Sequence, residues 1–330
     1  MNDLASSATM NGIRFHDYGE PTDVLRMEQV AIPDPGPGRI RVAVHACGLN
    51  PADWALCRGL FPGTLPRGIG LEVSGTVDAI GDGVTDVAIG DPVLGSADYA
   101  DGHSAGAADF AVMTNWARVP AGLDLVQAAA LPMAVETAYR HLEGLRVTSG
   151  HTLLVHGAGT TVGFAAVQIG LIRGARVLAT AGDTHAERLR ALGATVTSYG
   201  DGMVERVTKA AGGPVDLIFD TAPVSGVLPD LVRIAESDPR RVLTCSDFAT
   251  AAELGVRTSF DEDLGQGMRH DVLGEYARRA ADGRFTIPVS RTFPLDDWRT
   301  ALEISLSGHP RGKLVLLPAN TGEDPTVVSR

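Results

Sequence analysis

The stretch LLVHGAGTTVGFAAVQIG, Leu153 to Gly170, combines three features that together can hold a phosphate. An apolar run reads as a strand, a glycine-bearing turn follows, and a helical pattern opens at Thr161. The first turn of a helix presents unpaired N–H groups and the positive end of the helix dipole, which suit a pyrophosphate. Gly157, Gly159 and Gly163 punctuate the turn, one residue wider than G-x-G-x-x-G, and Thr160, Thr161 and Val162 stand between the last two. Threonine hydroxyls can themselves hydrogen-bond a phosphate oxygen. The competing reading is a glycine-turned strand–helix junction with no ligand.

The next strand bears on the choice of nucleotide. NAD sites place an Asp or Glu about 20 residues further on, at the strand tip, to hold the ribose hydroxyls. This tip reads Thr180-Ala181-Gly182. Asp183 follows, but THAE, Thr184 to Glu187, has the pattern of a capping box, so Asp183 is expected to precede the helix cap. Without a carboxylate at the tip, a 2′-phosphate meets no repulsion, and His185, Arg188 and Tyr199 are candidates to contact it. NADPH is the expected cofactor; a merely solvated helix face is the alternative for Arg188. A methyltransferase-type Rossmann fold would also want an acid at this tip, and Ala181 speaks against one.

Other chemistry is sparse. Cys47, Cys57 and Cys245 form no CxxC pair, so a structural zinc lobe lacks its ligands, and the count suits a reducing compartment. His16, His141, His151 and His156 carry no clustered spacing, and His45 in an apolar strand reads as a core residue. Tyr99 and His103, in SADYADGHSAG, are candidate proton donors on what otherwise reads as a surface loop. A net charge of −12 argues against nucleic acid, and Arg240-Arg241 and Arg278-Arg279 read as solvated faces. The opening MNDLASSATMNG lacks an apolar h-region, and the run Val162 to Ile172 is too short to span a bilayer, so a cytoplasmic location is expected with no membrane partner.

These residues need a scaffold, and 330 residues with 44% hydrophobic content can build more than one core. GRIRVAVHACGL, LEVSGTVDAIGDGV, GDPVLG and ADFAVMT read as strands in an all-β first part punctuated by turns. Helical spacing begins in VQAAALPMAVETAYRHLEGL. Strands at HTLLVH, ARVLATA, TVTSY, VDLIFD and RRVLTC then alternate with helices, closing at GVRTSF; this is the pattern of a parallel sheet covered on both faces. MRHDVLGEYARRAADG and PLDDWRTALEISLSG read as helices, GKLVLLP as a closing strand, and the polar tail ANTGEDPTVVSR as loose.

Taken together, IRFHDYGEPTDVLRMEQVAIPDPGPGRIRVAVHACGLNPADWALCRGLFP, GIGLEVSGTVDAIGDGVTDVAIGDPVLG, AAALPMAVETAYRHL, the phosphate turn and TFPLDDWRTALE…PRGKLVLLP resemble the zinc-independent medium-chain dehydrogenase/reductases, in their quinone oxidoreductase-like branch. The resemblance implies an α/β protein with a GroES-like β-rich catalytic domain, residues 1–127 and 262–330, and a Rossmann doubly wound parallel-sheet domain, residues 128–261. It implies hydride transfer from NADPH to a quinone or activated C=C bond, and a homodimer joined at Rossmann edge strands, here GVRTSF. Thr160 and Thr161 depart from the paired glycines of the family's phosphate turn. Asn50 and Leu71 stand where zinc-dependent relatives carry Cys and His, so no metal is expected.

The same resemblance places Asn50 and Asp53 of LNPADW beside the nicotinamide as tentative catalytic residues, and implies that Thr137 and Lys313, near the same cleft, are cofactor-binding. Asn50 and Asp53 could instead serve the turn at Pro51. Relatives carry tyrosines where Phe61 and Ala55 stand here, so the proton donor is unassigned. That tilts the reading toward quinones, whose reduced oxygens solvent can protonate. An enoyl or alkenal reductase, and a catalytically silent NADPH-binding interaction protein, stay open.

Overall fold

The computed structural model describes residues 8–100, 105–261 and 267–319; His103 lies outside them. The chain groups into two compact units. Unit 1 takes the residues up to Met133 with Leu273–Arg284 and those from Val289 on; unit 2 is Ala134–Val272 with Phe285–Pro288. These breaks fall later in the chain than the 127/128 and 261/262 boundaries expected from sequence.

Fifteen strands occur among the described residues. The first seven are β1 (Thr9–Phe15), β2 (Arg26–Ala31), β3 (Ile40–Leu49), β4 (Arg67–Gly68), β5 (Glu72–Ile80), β6 (Pro92–Ala97) and β7 (Phe110–Arg118). Unit 2 supplies β8 (Thr152–His156), β9 (Arg176–Thr180), β10 (Thr195–Thr197), β11 (Leu217–Asp220), β12 (Val242–Thr244) and β13 (Arg257–Thr258). The chain then returns to unit 1 with β14 (Val289–Pro294) and β15 (Lys313–Leu317).

In unit 1, the sheet order β14-β15-β3-β5-β6-β7 closes on itself because β3 also pairs with β7, Ile40–Ala43 lying opposite Phe110–Met113. The far end of that same β3 edge takes β15, Leu49 opposite Leu314, while its other edge sets Gly48 opposite Glu72 of β5. That register brings the ends of three strands together. Alternation along β3 buries Ile40, Val42 and Val44 in a core with Val73, Met113, Leu314 and Leu316. The all-β reading of this part is corrected by two short helices, Pro21–Val24 and Pro51–Cys57. Each begins with proline, whose fixed φ and missing N–H suit a first helical position.

Unit 2 is a six-stranded, all-parallel sheet in the order β10-β9-β8-β11-β12-β13. Strand order reverses between β8 and β11, and ligands of such sheets bind at the carboxyl ends of the strands flanking that reversal. The expected long helix divides at Leu131-Pro132 into Leu125–Ala129 and Pro132–Gly144. Helices Met203–Ala211, Leu228–Ile234 and Phe248–Leu254 complete the alternation. Leu154 and Ile218 pack with Val207 and Leu231 in the unit 2 core. Among the described residues, no helix is long and apolar enough to cross a membrane.

Candidate active site

The loop leaving β8 is held by its own chain before any ligand is considered. Thr160 is the N-cap of helix Thr161–Ile172; its hydroxyl accepts the Gly163 N–H at 2.9 Å and donates to Thr221 Oγ1 at 3.1 Å. Thr221 in turn reaches the His156 and Gly157 carbonyls. Gly163 has no alternative, since a Cβ there would lie 2.4 Å from the Gly157 carbonyl oxygen and 2.6 Å from Thr221 Oγ1. Gly157 sits at φ 74°, where a Cβ would strike Ala222. Gly159 differs: a Cβ would meet only His185 Cδ2, at 3.4 Å. Protein packing therefore demands two of the glycines, while the bare backbone of the third leaves room for an anion beside the helix N-terminus. On this test the loop fits a nucleotide pyrophosphate. Thr161 and Val162 are half-buried in the helix's first turn.

At the tip of β9, Thr180 is fully buried and ties the loop down: its hydroxyl accepts the Gly157 N–H and lies 2.7 Å from His156 Nδ1. The expected cap is corrected here. Helix Asp183–Ala191 starts at Asp183 with Gly182 as N-cap, so Asp183 occupies the first turn, where a carboxylate complements the helix dipole. Gly182 faces the Tyr199 hydroxyl, which would stand 3.5 Å from an added Cβ. His185 is buried, edge-on to Phe164, and the exposed Arg188 places its guanidinium 5.6 Å from the centre of the same ring. A groove of about 460 Å³ adjoins this tip, lined by His156, Tyr199 and Ser225, and also by Asp201, Glu205 and Asp230. Burial pushes His156 down to about 4, so its ring is neutral at pH 7.

Thr137 is half-buried in helix Pro132–Gly144, its carbonyl 2.5 Å from His141 Nδ1. Burial, reinforced by Arg140, pushes His141 down to about 3.

Unit 1 carries a second polar centre where β3, β5 and β15 end together. Lys313 Nζ donates to Glu72 Oε1 at 2.5 Å and to Asn50 Oδ1 at 2.6 Å; Asn50 Nδ2 donates to Glu72 Oε1 at 2.8 Å. Glu72 Oε2 accepts the Met133 N–H. Both charged side chains are completely shielded from solvent. Gly48 makes the space, because a Cβ there would lie 2.6 Å from Glu72 Oε1. Asp53 adjoins the trio, its Oδ2 accepting the Asn50 N–H and its Oδ1 those of Gly70 and Leu71. Burial pushes its carboxyl up to about 6, against the pull of the Asn50 and Gly70 N–H groups.

The register thus gathers Asn50, Asp53 and Lys313 and adds Glu72, which sequence reasoning passed over. A signal was there: an acid between Leu71 and Val73 at the head of a strand, in GLEVSG. Asp53 is doing the work of a helix and loop cap, with both oxygens engaged by backbone. Tyr99, half-buried, has Arg67 over its ring at 5.7 Å. Phe61 is exposed. Among the described residues, no three His, Cys, Asp or Glu side chains come together as a metal site.

Comparison with known proteins places two stretches of the chain in dehydrogenase families. Residues 36–129 match the alcohol dehydrogenase GroES-like domain, and residues 192–316 match a family described as zinc-binding dehydrogenase. Human quinone oxidoreductase is 34% identical over 185 residues, 54% of this chain and 55% of the relative. The phthioceranic/hydroxyphthioceranic acid synthase of Mycobacterium tuberculosis is 32% identical over 327 residues, 92% of this chain but 15% of the synthase. The match thus spans about half of the one relative and a small part of the other. The solved quinone oxidoreductase from Coxiella burnetii superposes with a TM-score of 0.77 at 27% identity, covering 94% of this chain and 99% of that one.

Proposed function

The chain belongs to the medium-chain dehydrogenase/reductase family, and from that premise we propose that it is an NADPH-dependent, zinc-independent oxidoreductase that delivers hydride to a quinone or similar activated carbonyl acceptor. The observation that carries the reading is the β8 loop, whose Gly159 backbone is left bare beside a threonine-capped helix N-terminus. Gly159, Thr160, Thr161, Val162 and Gly163 would hold the pyrophosphate, Thr180 would brace the loop, and the groove beside the β9 tip would receive the adenosine. His185, Arg188 and Tyr199 would take the 2′-phosphate, although Asp201, Glu205 and Asp230 along the groove oppose added negative charge. When bound, NADPH supplies the hydride. Thr137 would orient the nicotinamide end, and Asn50 would face the acceptor with Lys313 behind it.

The zinc-free part of the reading rests on Asn50 and Leu71, neither of which offers a thiolate or imidazole. We also read the protein as a cytoplasmic homodimer: among the described residues no further strand flanks β13, and a second copy would extend the sheet there.

A second reading, reduction of a C=C bond conjugated to a carbonyl, is favoured by the match to the synthase over nearly the whole chain. The test is titration of the protein with NADPH and NADH by nucleotide fluorescence, followed by NADPH oxidation with matched quinones and enoyl thioesters. Tighter binding of NADPH and oxidation with quinones is the expected result. Oxidation with enoyl thioesters alone moves the assignment to the second reading, and binding of neither nucleotide removes both.

A further inference from the structure

The unit 1 trio contains more order than charge pairing requires. Reversing the Asn50 amide would set its oxygen against the Glu72 carboxylate and its NH₂ against the Lys313 ammonium, so one orientation is fixed. The three differ in access: taken as whole residues, Glu72 is 0% and Lys313 1% exposed, whereas Asn50 keeps 6%. Neither charged group can touch a substrate. Asn50 Nδ2 carries two hydrogens, and one is taken by Glu72. The other has no partner among the described residues, and it belongs to the least shielded member of the trio.

We propose that Glu72 and Lys313 are positioning residues that lock the Asn50 amide so that its remaining N–H meets the acceptor oxygen on which negative charge develops. This rests on the hydride-transfer reading above and names the groups that make Asn50 effective in it. The balance is simple for a quinone. Hydride brings two electrons and one proton, leaving the hydroquinone monoanion, and water supplies the second proton. The Asn50 amide donates a hydrogen bond throughout and gives up no proton. A neutral donor aimed in advance by a sealed ion pair needs no reorganisation as the charge grows.

The full chain is compared with Glu72→Gln, Lys313→Met and the double variant Glu72→Leu/Lys313→Met. The readouts are melting temperature, NADPH affinity by nucleotide fluorescence, and kcat and KM with a water-soluble naphthoquinone. Breaking one side of a buried pair is strongly destabilising, whereas replacing both with apolar groups largely restores stability. The double variant is therefore expected to melt near the parent and bind NADPH as the parent does, yet to lose about tenfold to a hundredfold in kcat with little change in KM. A purely structural pair would return kcat together with stability, and a double variant with parental kcat overturns the proposal. If the single variants do not fold, the double variant carries the test, with Asn50→Ala expected to show the same loss of kcat. A parent chain that binds NADPH but reduces no acceptor removes the hydride-transfer reading and this inference with it.

Discussion

The polar centre of unit 1 and the β8 loop of unit 2 are held by opposite means. Unit 1 encloses a full ion pair, Lys313 with Glu72, and satisfies it with Asn50 and the Met133 N–H. Unit 2 holds its loop with neutral groups: Thr160 to Thr221, Thr221 to two carbonyls, and Thr180 to His156. A sealed ion pair is costly to break and therefore rigid. Hydroxyl and backbone bonds are individually weaker, and they leave peptide N–H groups of a helix start to face an anion. One arrangement fixes a side chain; the other keeps a backbone surface open.

Acid should separate the units most strongly. His141 and His156, both in unit 2, are held neutral at about 3 and about 4, so their contribution is present above the ordinary histidine value and is lost as pH falls from 6.5 toward those values. Asp53 runs the other way. Its value of about 6 means that stability is greatest below 3.8 and is lost as pH rises through 6. Asp220, also raised to about 6, offsets part of the histidine effect in unit 2. Hydrogen exchange between pH 6.5 and 4, corrected for intrinsic rates, should therefore show β8 and β11 losing protection before β3 and β5. Simultaneous loss would break the contrast.

Lys313→Met alone should destabilise the protein by about 3–5 kcal/mol, because the shielded Glu72 carboxyl loses its cation. Urea unfolding measures it, and a change below about 1 kcal/mol would show that the pair is not the anchor of unit 1. Gly163→Ala should cost about 1–3 kcal/mol through the contact with Gly157 and Thr221, and should weaken NADPH binding by displacing the loop. Unchanged nucleotide affinity in that variant would detach the loop from the cofactor. Thr160→Ala removes one cap bond and should cost about 1 kcal/mol. Arg188→Ala should leave stability within about 0.5 kcal/mol and weaken NADPH more than NADH; equal loss for both would remove Arg188 from the 2′-phosphate.

Sequence patterns exposed the unit 2 sheet well because β8, β9, β11 and β12 are built on short apolar runs that alternate with helical repeats, and such periodicity is local. The phosphate turn was equally plain, yet which glycine serves the protein and which leaves space depended on distances to Thr221, Ala222 and His185. Helix Pro51–Cys57 escaped notice because Asn50, Pro51 and Asp53 also make good turn residues, and seven residues give too short a repeat to judge. The start of helix Asp183–Ala191 shifted by the same ambiguity: two capping patterns overlap, and glycine took the cap. Glu72 lay hidden because its meaning depends on Lys313, 241 residues away.

That separation sets an order of events as the chain is made. Once the first seven strands have emerged, β3 and β5 are free to pair, with Glu72 already turned toward Asn50 but lacking its cation. At ordinary rates of synthesis, Lys313 follows on the order of ten to forty seconds later, after the parallel strands of unit 2 have been made. Until then the first part of the chain must keep a carboxylate hydrated in what becomes its interior. Among the described residues β15 is the last strand to arrive, and it brings the cation that pairs with Glu72.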